Sequence, residues 1–395
     1  MCKRRIMNGT LALWYERKST EGGIADTASS VSNAPQVRLH VNLWRDIDKK
    51  FNFLDIGFLL EKTCDLDRLY LYLPAPIKQD SISDLSGALK DSDTLNAVFN
   101  EVASLKRDDD DHFVVQAGKL SRVIHHVDTV SDISIQPVSL PGRDEGGTII
   151  ALKSALCARI TDTKYTGSQH YVRLRIFLDG KAQNLFTTED SATSVGLSLT
   201  QDILETTEFR LNERRSFPHV ILQRSEAGQV CLVSVHYFLI RSKNHQLGSQ
   251  HQNFRKVRHL EPDIWNSYLR VGRPSPSRMK LLGQKRDADG MIIYQWREIA
   301  PIKDGEQTSL DGFIAYASFR IAHDRILSYM VAILAIGGVG SALLNVGIAI
   351  LHRIFPAIGW NEPGSGKASL IVGIGLGICA LSPMLFVKLT RRRSK

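Results

Sequence analysis

Cysteine is scarce in this chain of 395 residues, and the few cysteines stand at spacings that suit neither disulfides nor zinc. They are odd in number and widely separated, with no CxxC pair and no Cys/His cluster: Cys2, Cys64, Cys157, Cys231 and Cys379. This usage fits a reducing compartment best. Cys157 and Cys231 have apolar neighbours and no adjacent cation that would favour a thiolate, so we interpret them as inert core thiols.

The short motifs of the common catalytic classes are also missing. There is no GxxxxGKS or GxxxxGKT phosphate loop, no GxGxxG after a strand, no HExxH and no GxSxG. The nearest approach to a catalytic cluster is His125–His126 followed by Asp128, but neighbouring side chains on a strand point to opposite faces. We interpret the run Asp108–Asp111 as a solvated turn, because four consecutive carboxylates rarely converge on one metal ion. We therefore expect no enzymatic activity, no cofactor and no bound metal.

Two long uncharged runs lie near the carboxyl end. Ile326–Leu351 and Ala368–Val387 contain 26 and 20 residues without a charge. Each is long enough at helical rise to cross a hydrocarbon layer of about 30 Å. They predict a C-terminal hairpin of two transmembrane helices, 326-351 and 368-387, joined by a loop 352-367 and followed by a basic tail 388-395.

The basic residues around these runs predict an orientation. Arg320 and Arg325 precede the first run, and five cations follow the second: Lys388, Arg391, Arg392, Arg393 and Lys395. By the positive-inside rule, both termini stay in the cytoplasm and the loop 352-367 is periplasmic. The predicted location is the cell inner membrane, with two spans.

Small residues within the runs predict helix packing. Gly337 and Ser341 stand four residues apart in the first run, as do Gly373 and Gly377 in the second. This spacing lets helices approach closely in lipid, although glycine is common in membrane helices in any case. Asn345 is the only amide side chain of the first run and could hydrogen-bond across an oligomer or face water in a pore. We expect a homo-oligomer in contact with membrane lipid.

The rest of the chain predicts a cytosolic α+β region rich in β-strands. Residues 1-36 are expected to be a flexible N-terminal segment, because positions 20–36 are small, polar and without periodicity. Region 37-145 has strand patterns at Val37–Trp44 and Leu69–Leu73, with a short mixed segment at Phe51–Leu60 between them. A helix is predicted over Asp93–Leu105, with Asp91 or Ser92 as its N-cap.

Region 146-322 is predicted to be mostly antiparallel β-structure. Runs rich in β-branched and aromatic residues predict strands at Thr148–Leu152, Tyr171–Leu178, Val220–Gln223, Val230–Ile240, Met291–Trp296 and Phe313–Ile321. Ser225–Gly228 is interpreted as a hairpin turn, and Ser198–Glu208 as a short helix. Pro137–Gly147 is the best candidate linker, and the pattern leaves open whether the regions are one domain or two.

A basic segment, 241-286, holds much of the charge of the chain. It contains eleven Lys or Arg residues against Glu261 and Asp263, with Phe254, Trp265 and Tyr268 among them. Such a pattern suits the binding of nucleic acid or of anionic lipid, or it is a solvated basic loop. The candidate binding residues are Arg255, Lys256, Arg258, Arg270 and Arg273.

The layout of the whole chain resembles that of the membrane effectors of bacterial antiphage systems. The resemblance is carried by the runs Ile326–Leu351 and Ala368–Val387 and by the tail Arg391–Arg393. Within this group, the chain is most similar to the two-transmembrane effector encoded beside a retron reverse transcriptase. The resemblance implies abortive infection by a toxin-like effector, and a partner made of a reverse transcriptase with its noncoding RNA and DNA.

These observations predict a non-enzymatic inner-membrane effector of antiviral defence. A partner would hold it inactive until a trigger lets its helices associate and disrupt the membrane. The first alternative is a membrane-anchored module that binds nucleic acid. The second is a membrane-anchored hydrolase of an unrecognised family.

Overall fold

The computed structural model describes residues 9–18, 34–46, 51–139, 146–165, 167–191, 200–226, 228–271, 288–324 and 326–357. The described residues of 1–192 and 202–322 form one compact unit, which holds almost all of the strands. Those of 193–201 and 323–395 form a second unit, which holds one long helix.

The described residues form twenty strands, β1 to β20 in chain order. Their bounds are Ala12–Arg17, Gln36–Asp46, Phe51–Glu61, Leu66–Leu73, Ile82–Asp84, Ser104–Asp108, His112–Ala117, Leu120–His125, Ile133–Val138, Gly147–Leu152, Gln169–Phe177, Thr187–Ser191, Thr200–Leu211, Cys231–Ser242, His245–Gln250, Phe254–His259, Met291–Ile299, Ile302–Lys303, Glu306–Gln307 and Phe313–Asp324. Five α-helices, α1 to α5, accompany them in the described part of the chain: Ser92–Phe99, Ser154–Ile160, His219–Glu226, Pro262–Arg270 and Ile326–Ala357.

A ten-stranded sheet is the largest element of the first unit. Its strand order is β16–β17–β14–β2–β3–β11–β8–β7–β6, and β5 pairs along β11. The pairs β14/β2 and β11/β8 are parallel, whereas the other neighbours along this order are antiparallel. Strands from both halves of the first unit thus share one sheet. Two four-stranded sheets, β1–β4–β10–β9 and β12–β13–β20–β15, complete the unit with the short pair β18–β19.

The two faces of the large sheet differ in character, as β2 illustrates. Val37, Leu39 and Val41 are fully buried in the main hydrophobic core, which the smaller sheets share. Arg38 and His40 alternate with them and lie on the opposite face, because successive side chains of a strand point to opposite sides. The large sheet therefore presents a second, polar face.

Several elements predicted from the sequence are confirmed. Strands cover Val37–Trp44 and Leu69–Leu73, and α1 begins after Asp91, whose side chain accepts a hydrogen bond from the Thr94 backbone N–H at 2.9 Å. Helix α1 is shorter than predicted, since it ends at Phe99 and Asn100 adopts a left-handed conformation.

Other predicted elements are wrong. The segment Phe51–Leu60 belongs to the regular strand β3, and Ser198–Glu208 overlaps the strand β13 and not a helix. The predicted strand Val220–Gln223 lies in α3, as do Ser225 and Glu226 of the turn predicted after it, and Ile221 and Ser225 are buried at helical spacing. Within the predicted flexible segment 1-36, Ala12–Arg17 forms β1 and pairs with β4, while residues 19–33 lie outside the described part.

The predicted transmembrane hairpin is also wrong, and with it the two-span inner-membrane location. No helix among the described residues combines the length and the apolar character that crossing a membrane requires. Helix α5 also continues through His352 and Arg353 to Ala357, past the predicted end of the first span. The second run, 368-387, lies outside the described residues. Membrane lipid as a partner stays a prediction.

Candidate functional site

The polar face of the large sheet opens onto a cavity of about 1190 Å³ in the first unit. Strands β2, β14 and β17 form its floor, the end of α1 and part of α4 form its sides, and β16 forms its rim. We call this cavity the basic groove, because seven Arg or Lys side chains line it against the two carboxylates of Glu101 and Glu298. The seven cations are Arg38, Arg122, Arg173, Arg255, Lys256, Arg258 and Arg297.

Strand register places the central residues of the groove in one row. Arg297 of β17 pairs with His236 of β14, which pairs with His40 of β2. The row continues from His40 to Gly57 of β3 and from Gly57 to Arg173 of β11. Residues that are far apart in the sequence therefore share one line across five strands.

Gly57 makes room in this row for the Tyr171 ring. A Cβ at Gly57 would overlap the phenol ring of Tyr171, so no larger residue fits without displacing that ring. The Tyr171 hydroxyl accepts a hydrogen bond from Arg173 Nη1 at 2.8 Å and lies 3.3 Å from His40 Nδ1. Because Gly57 has no side chain, the Tyr171 hydroxyl can contact both the His40 imidazole and the Arg173 guanidinium.

The two histidines of the row are held neutral. The rings of His40 and His236 lie 5.3 Å apart. Burial, then the charges of Arg297 and Arg38, lower the pKa of His236 to about 4. Burial, His236 and three nearby arginines lower the pKa of His40 well below its usual value. At neutral pH these imidazoles can donate and accept hydrogen bonds, while the positive charge comes from Arg and Lys.

Arg173 is buried at the end of this row with neutral partners. Its Nε donates to the Tyr268 hydroxyl at 2.9 Å, and it forms no ion pair with another described residue. The Tyr268 hydroxyl in turn donates to Asp55 at 2.7 Å, and Asp55 pairs with Arg175 at 2.7 Å. Tyr268 belongs to α4, so this network fixes that helix against the sheet beside the groove.

Arg122 of β8 is the second buried guanidinium of the groove. Its Nε donates to Gln169 at 2.7 Å, its Nη2 pairs with Glu101 at 2.9 Å, and the guanidinium lies over the Phe99 ring at 4.4 Å. Its Nη1 is buried and has no hydrogen-bond partner among the described residues. A buried donor without a partner is costly, so this nitrogen has spare capacity for an acceptor from a ligand.

The rim of the groove contains three of the five candidate binding residues. Arg255, Lys256 and Arg258 are exposed on the edge strand β16 and line the groove. Positive residues on an edge strand also discourage pairing with other chains, which is a structural reason for their presence. Arg270 is exposed at the end of α4 and does not line the groove. Arg273 lies outside the described residues.

The predicted helix-packing residues are far from this chemistry in the sequence, in the second unit. Gly337, Ser341 and Asn345 are exposed residues of α5. Gly373 and Gly377 lie outside the described residues. A packing role for these five residues stays a prediction.

The residues that come nearest to a catalytic cluster in the sequence, His125–His126 and Asp128, do not form one site. His125 Nε2 lies 3.0 Å from His170 Nδ1, whereas His126 Nδ1 lies 2.7 Å from the Ser86 hydroxyl. Asp128 instead accepts hydrogen bonds from Val130 and Ser131 in its own turn. The Ser86–His126 pair has the composition of a nucleophile and its base, but Ser86 is fully buried, so a substrate has no access to its hydroxyl.

In the described part of the chain, neither the cysteines nor the aspartate run is placed to hold a metal ion. Burial raises the pKa of the Cys157 thiol to about 12 and raises that of Cys231. Among the described residues, no group of three or more His, Cys, Asp or Glu is placed to hold a metal ion. Asp109–Asp111 form the connection between β6 and β7, while Asp108 is the last residue of β6, and Asp109 and Asp111 pair with His112.

Sequence reasoning missed the buried half of the groove. Arg38 and His40 were visible as the polar half of an alternating strand, and Arg173 as a cation within an apolar run. A polar strand face is usually solvated, and nothing in a single strand reveals that α1 and α4 enclose this one. The sequence around Arg122 does not indicate a binding role, because the place of Arg122 in the groove depends on the pairing of β8 with β11.

The chain also has no similarity in sequence from which a role for the groove could be transferred. No protein-family model matches it, and no curated protein matches it in sequence. Its function is therefore inferred from the residues of the groove themselves.

Proposed function

We propose that the protein binds a phosphate-bearing anion in the basic groove and acts there as a binding protein without a chemical step. The observation that supports this most is the imbalance of seven cationic side chains against two carboxylates around one cavity of about 1190 Å³. A cleft lined by charges of one sign focuses the field and concentrates ligands of the opposite sign.

The buried arginines distinguish the groove from an ordinary basic surface. Arg173 and Arg122 are 1% and 3% exposed. Removing a guanidinium from water costs several kcal/mol unless partners compensate, and Arg173 has two hydroxyl groups in place of a carboxylate. The protection of a sheet edge explains cations on β16 but not on β8 or β11. Arg122 already pairs with Glu101, so an anion in the groove would chiefly supply a countercharge for Arg173.

Phosphate is the anion that fits this set of donors best. Guanidinium groups bind phosphate oxygens through two parallel hydrogen bonds. Besides the two buried Arg side chains and Lys256, the groove holds four more Arg side chains, which would be redundant for a single carboxylate. Four of the seven cations are exposed or half-buried: Arg38, Arg255, Lys256 and Arg297. Arg38 is only weakly paired, and the other three form no ion pair with a described residue. Several phosphates could therefore be neutralised together.

The antiviral role stays a prediction that agrees with this proposal. The partner that the resemblance implies, a reverse transcriptase with its RNA and DNA, carries phosphates of the kind that the groove would bind. The proposal is closest to the alternative in which the protein binds nucleic acid. The homo-oligomer also stays a prediction.

Calorimetric titration with inorganic tripolyphosphate at about 50 mM salt tests the proposed function. We expect the double variant Lys256→Gln/Arg297→Gln to bind at least about tenfold more weakly, because two charge-assisted hydrogen bonds are lost. The matched control is Arg270→Gln, which removes an exposed cation outside the groove and should change affinity less than about twofold. Absence of binding by the wild-type protein, or equal losses in both variants, would refute the proposal.

A further inference from the structure

The basic groove is long in the direction across the strands. It is lined from Arg255 on β16 to Arg122 on β8, which are six strand spacings apart in the sheet. Neighbouring strands lie about 4.8 Å apart, so the groove extends roughly 29 Å. This is longer than a single phosphate or a single nucleotide needs.

Six of the seven cations lie toward the two ends of this length, and the seventh, Arg38, lies on the central strand β2. Strands β16 and β17 supply Arg255, Lys256, Arg258 and Arg297 at one end. At the other end, β11 and β8 supply Arg173 and Arg122. A ligand that satisfies both ends must carry several negative groups along its length.

Apart from Arg38 on β2, the centre of the groove is uncharged and partly aromatic. Phe238 and His236 stand two residues apart on β14, so both side chains lie on the groove face of the sheet. Phe238 is half-buried and makes no ring contact with another described residue. The amides of Asn42 and Gln295 pair with Phe238 on the two neighbouring strands and line the same cavity. A flat ring with polar edges would find a stacking surface and hydrogen-bonding groups here.

From this layout we infer that the ligand is a single-stranded oligonucleotide that lies across the strands, with a base on Phe238 and His236 and phosphates on the two cationic ends. The inference rests on the proposed function and narrows it to one ligand class. Aromatic platforms beside a basic track are the general solution for single strands, since every base has a face that can stack. In a duplex the bases are already stacked and paired, so they cannot reach the platform.

The length of the groove also limits the site size. Phosphates of one strand recur every ~3.4 Å in duplex DNA and are farther apart in an extended strand, so at most about eight nucleotides fit within roughly 29 Å. Affinity should therefore rise with oligonucleotide length and level off at about eight nucleotides or fewer.

The test compares fluorescein-labelled oligo(dT) with an abasic phosphodiester oligomer of the same length, by fluorescence anisotropy. We expect oligo(dT) of about eight nucleotides to bind roughly tenfold more tightly than the abasic oligomer, because base stacking is added to the phosphate contacts. In Phe238→Leu, which keeps an apolar side chain, this advantage should fall to about twofold or less. The matched control is Phe217→Leu, a half-buried ring outside the groove, which should retain the full advantage.

The outcomes separate this inference from the proposed function. If the abasic oligomer or a duplex of equal phosphate number binds as tightly as oligo(dT), the single-strand inference is overturned, while binding of tripolyphosphate would leave the proposed function in place. The same holds if oligo(dT) fails to bind while tripolyphosphate binds. If neither anion binds, both proposals fail.

Discussion

At the scale of single residues, the uncharged histidines are as informative as the arginines. The pKa values of His170 and His236 are both lowered to about 4, chiefly by burial, and those of His40 and His125 are lowered well below the usual value. His125 and His170 lie 3.0 Å apart, so one ring nitrogen donates and the other must accept, which requires at least one neutral ring. These side chains therefore oppose protonation of the folded protein.

Acid should destabilise the fold over a defined pH range. The unfolded chain takes up protons at a histidine pKa near 6.5, whereas folded His170 does so only near 4. Stability contributed by the neutral ring is therefore complete above pH 6.5 and is lost as the pH falls toward 4. For His170 alone, the free energy of unfolding should decrease by about 2 kcal/mol between about pH 7 and about pH 5. Urea denaturation at a series of pH values measures this decrease.

Variants assign the decrease to this histidine. In His170→Gln, the loss over the same pH interval should be smaller by about 2 kcal/mol. The control His219→Gln changes an exposed histidine at the start of α3 and should follow the wild-type profile. An identical pH profile for wild type and His170→Gln would show that this ring is not held neutral.

The candidate residues found from the sequence are those that lie close together in it. Arg255, Lys256 and Arg258 are almost contiguous, so their charge is visible as a run. Arg38, Arg122 and Arg173 are separated by tens of residues and meet only through strand pairing. Charge counting along the chain detects the exposed rim and cannot detect a buried constellation.

At the scale of elements, the position of α4 depends on a buried ion pair. Asp55 of β3 and Arg175 of β11 are both fully buried, and Asp55 also accepts a hydrogen bond from Tyr268 of α4. Arg175 donates to the Val271 carbonyl at 3.0 Å, directly after the helix. One carboxylate therefore connects two strands and a helix beside the groove.

Neutralising this carboxylate should be costly. Asp55→Asn leaves the Arg175 guanidinium buried without a countercharge, and we expect the free energy of unfolding to fall by about 3–5 kcal/mol. The control Asp108→Asn removes the exposed pair between Lys90 and Asp108 and should cost less than about 1 kcal/mol. Chemical denaturation measures both values. Equal small losses would mean that the buried pair does not hold these elements together.

There is a physical reason why the sequence predicted some elements correctly and missed others. β2 alternates cleanly because one face meets the core, and Asp91 caps α1 through a purely local hydrogen bond. β13 escaped detection because Glu205 points inward, where Arg45 and Arg241 lie 3.0 Å and 2.6 Å from its carboxylate oxygens. A buried carboxylate with distant partners breaks the expected alternation, and a single sequence does not reveal those partners.

At the scale of the whole molecule, the predicted architecture was correct only in part. The β-rich body is present, and strands from regions 37-145 and 146-322 share one sheet. The predicted transmembrane hairpin was wrong, because no helix among the described residues is long and apolar enough to cross a membrane. The groove could not be predicted, since its floor requires the parallel pairing of β2 with β14, almost two hundred residues later.

The net charge of +9 acts over longer distances than the groove itself. A positive molecule attracts anionic polymers from solution, and the groove would then provide the specific contacts. Long-range attraction and direct contacts both weaken with salt, but only the direct contacts depend on which cation is removed.

The salt dependence of anion binding tests the central claim most directly. For inorganic polyphosphate of defined length, we expect the logarithm of the binding constant to fall linearly with the logarithm of the salt concentration in the wild-type protein. Removing Lys256 and Arg297 together should make that slope shallower by about two, whereas Arg270→Gln should leave it unchanged. A slope that is the same in the wild-type protein and the groove variant would show that the anion binds elsewhere and would contradict the account.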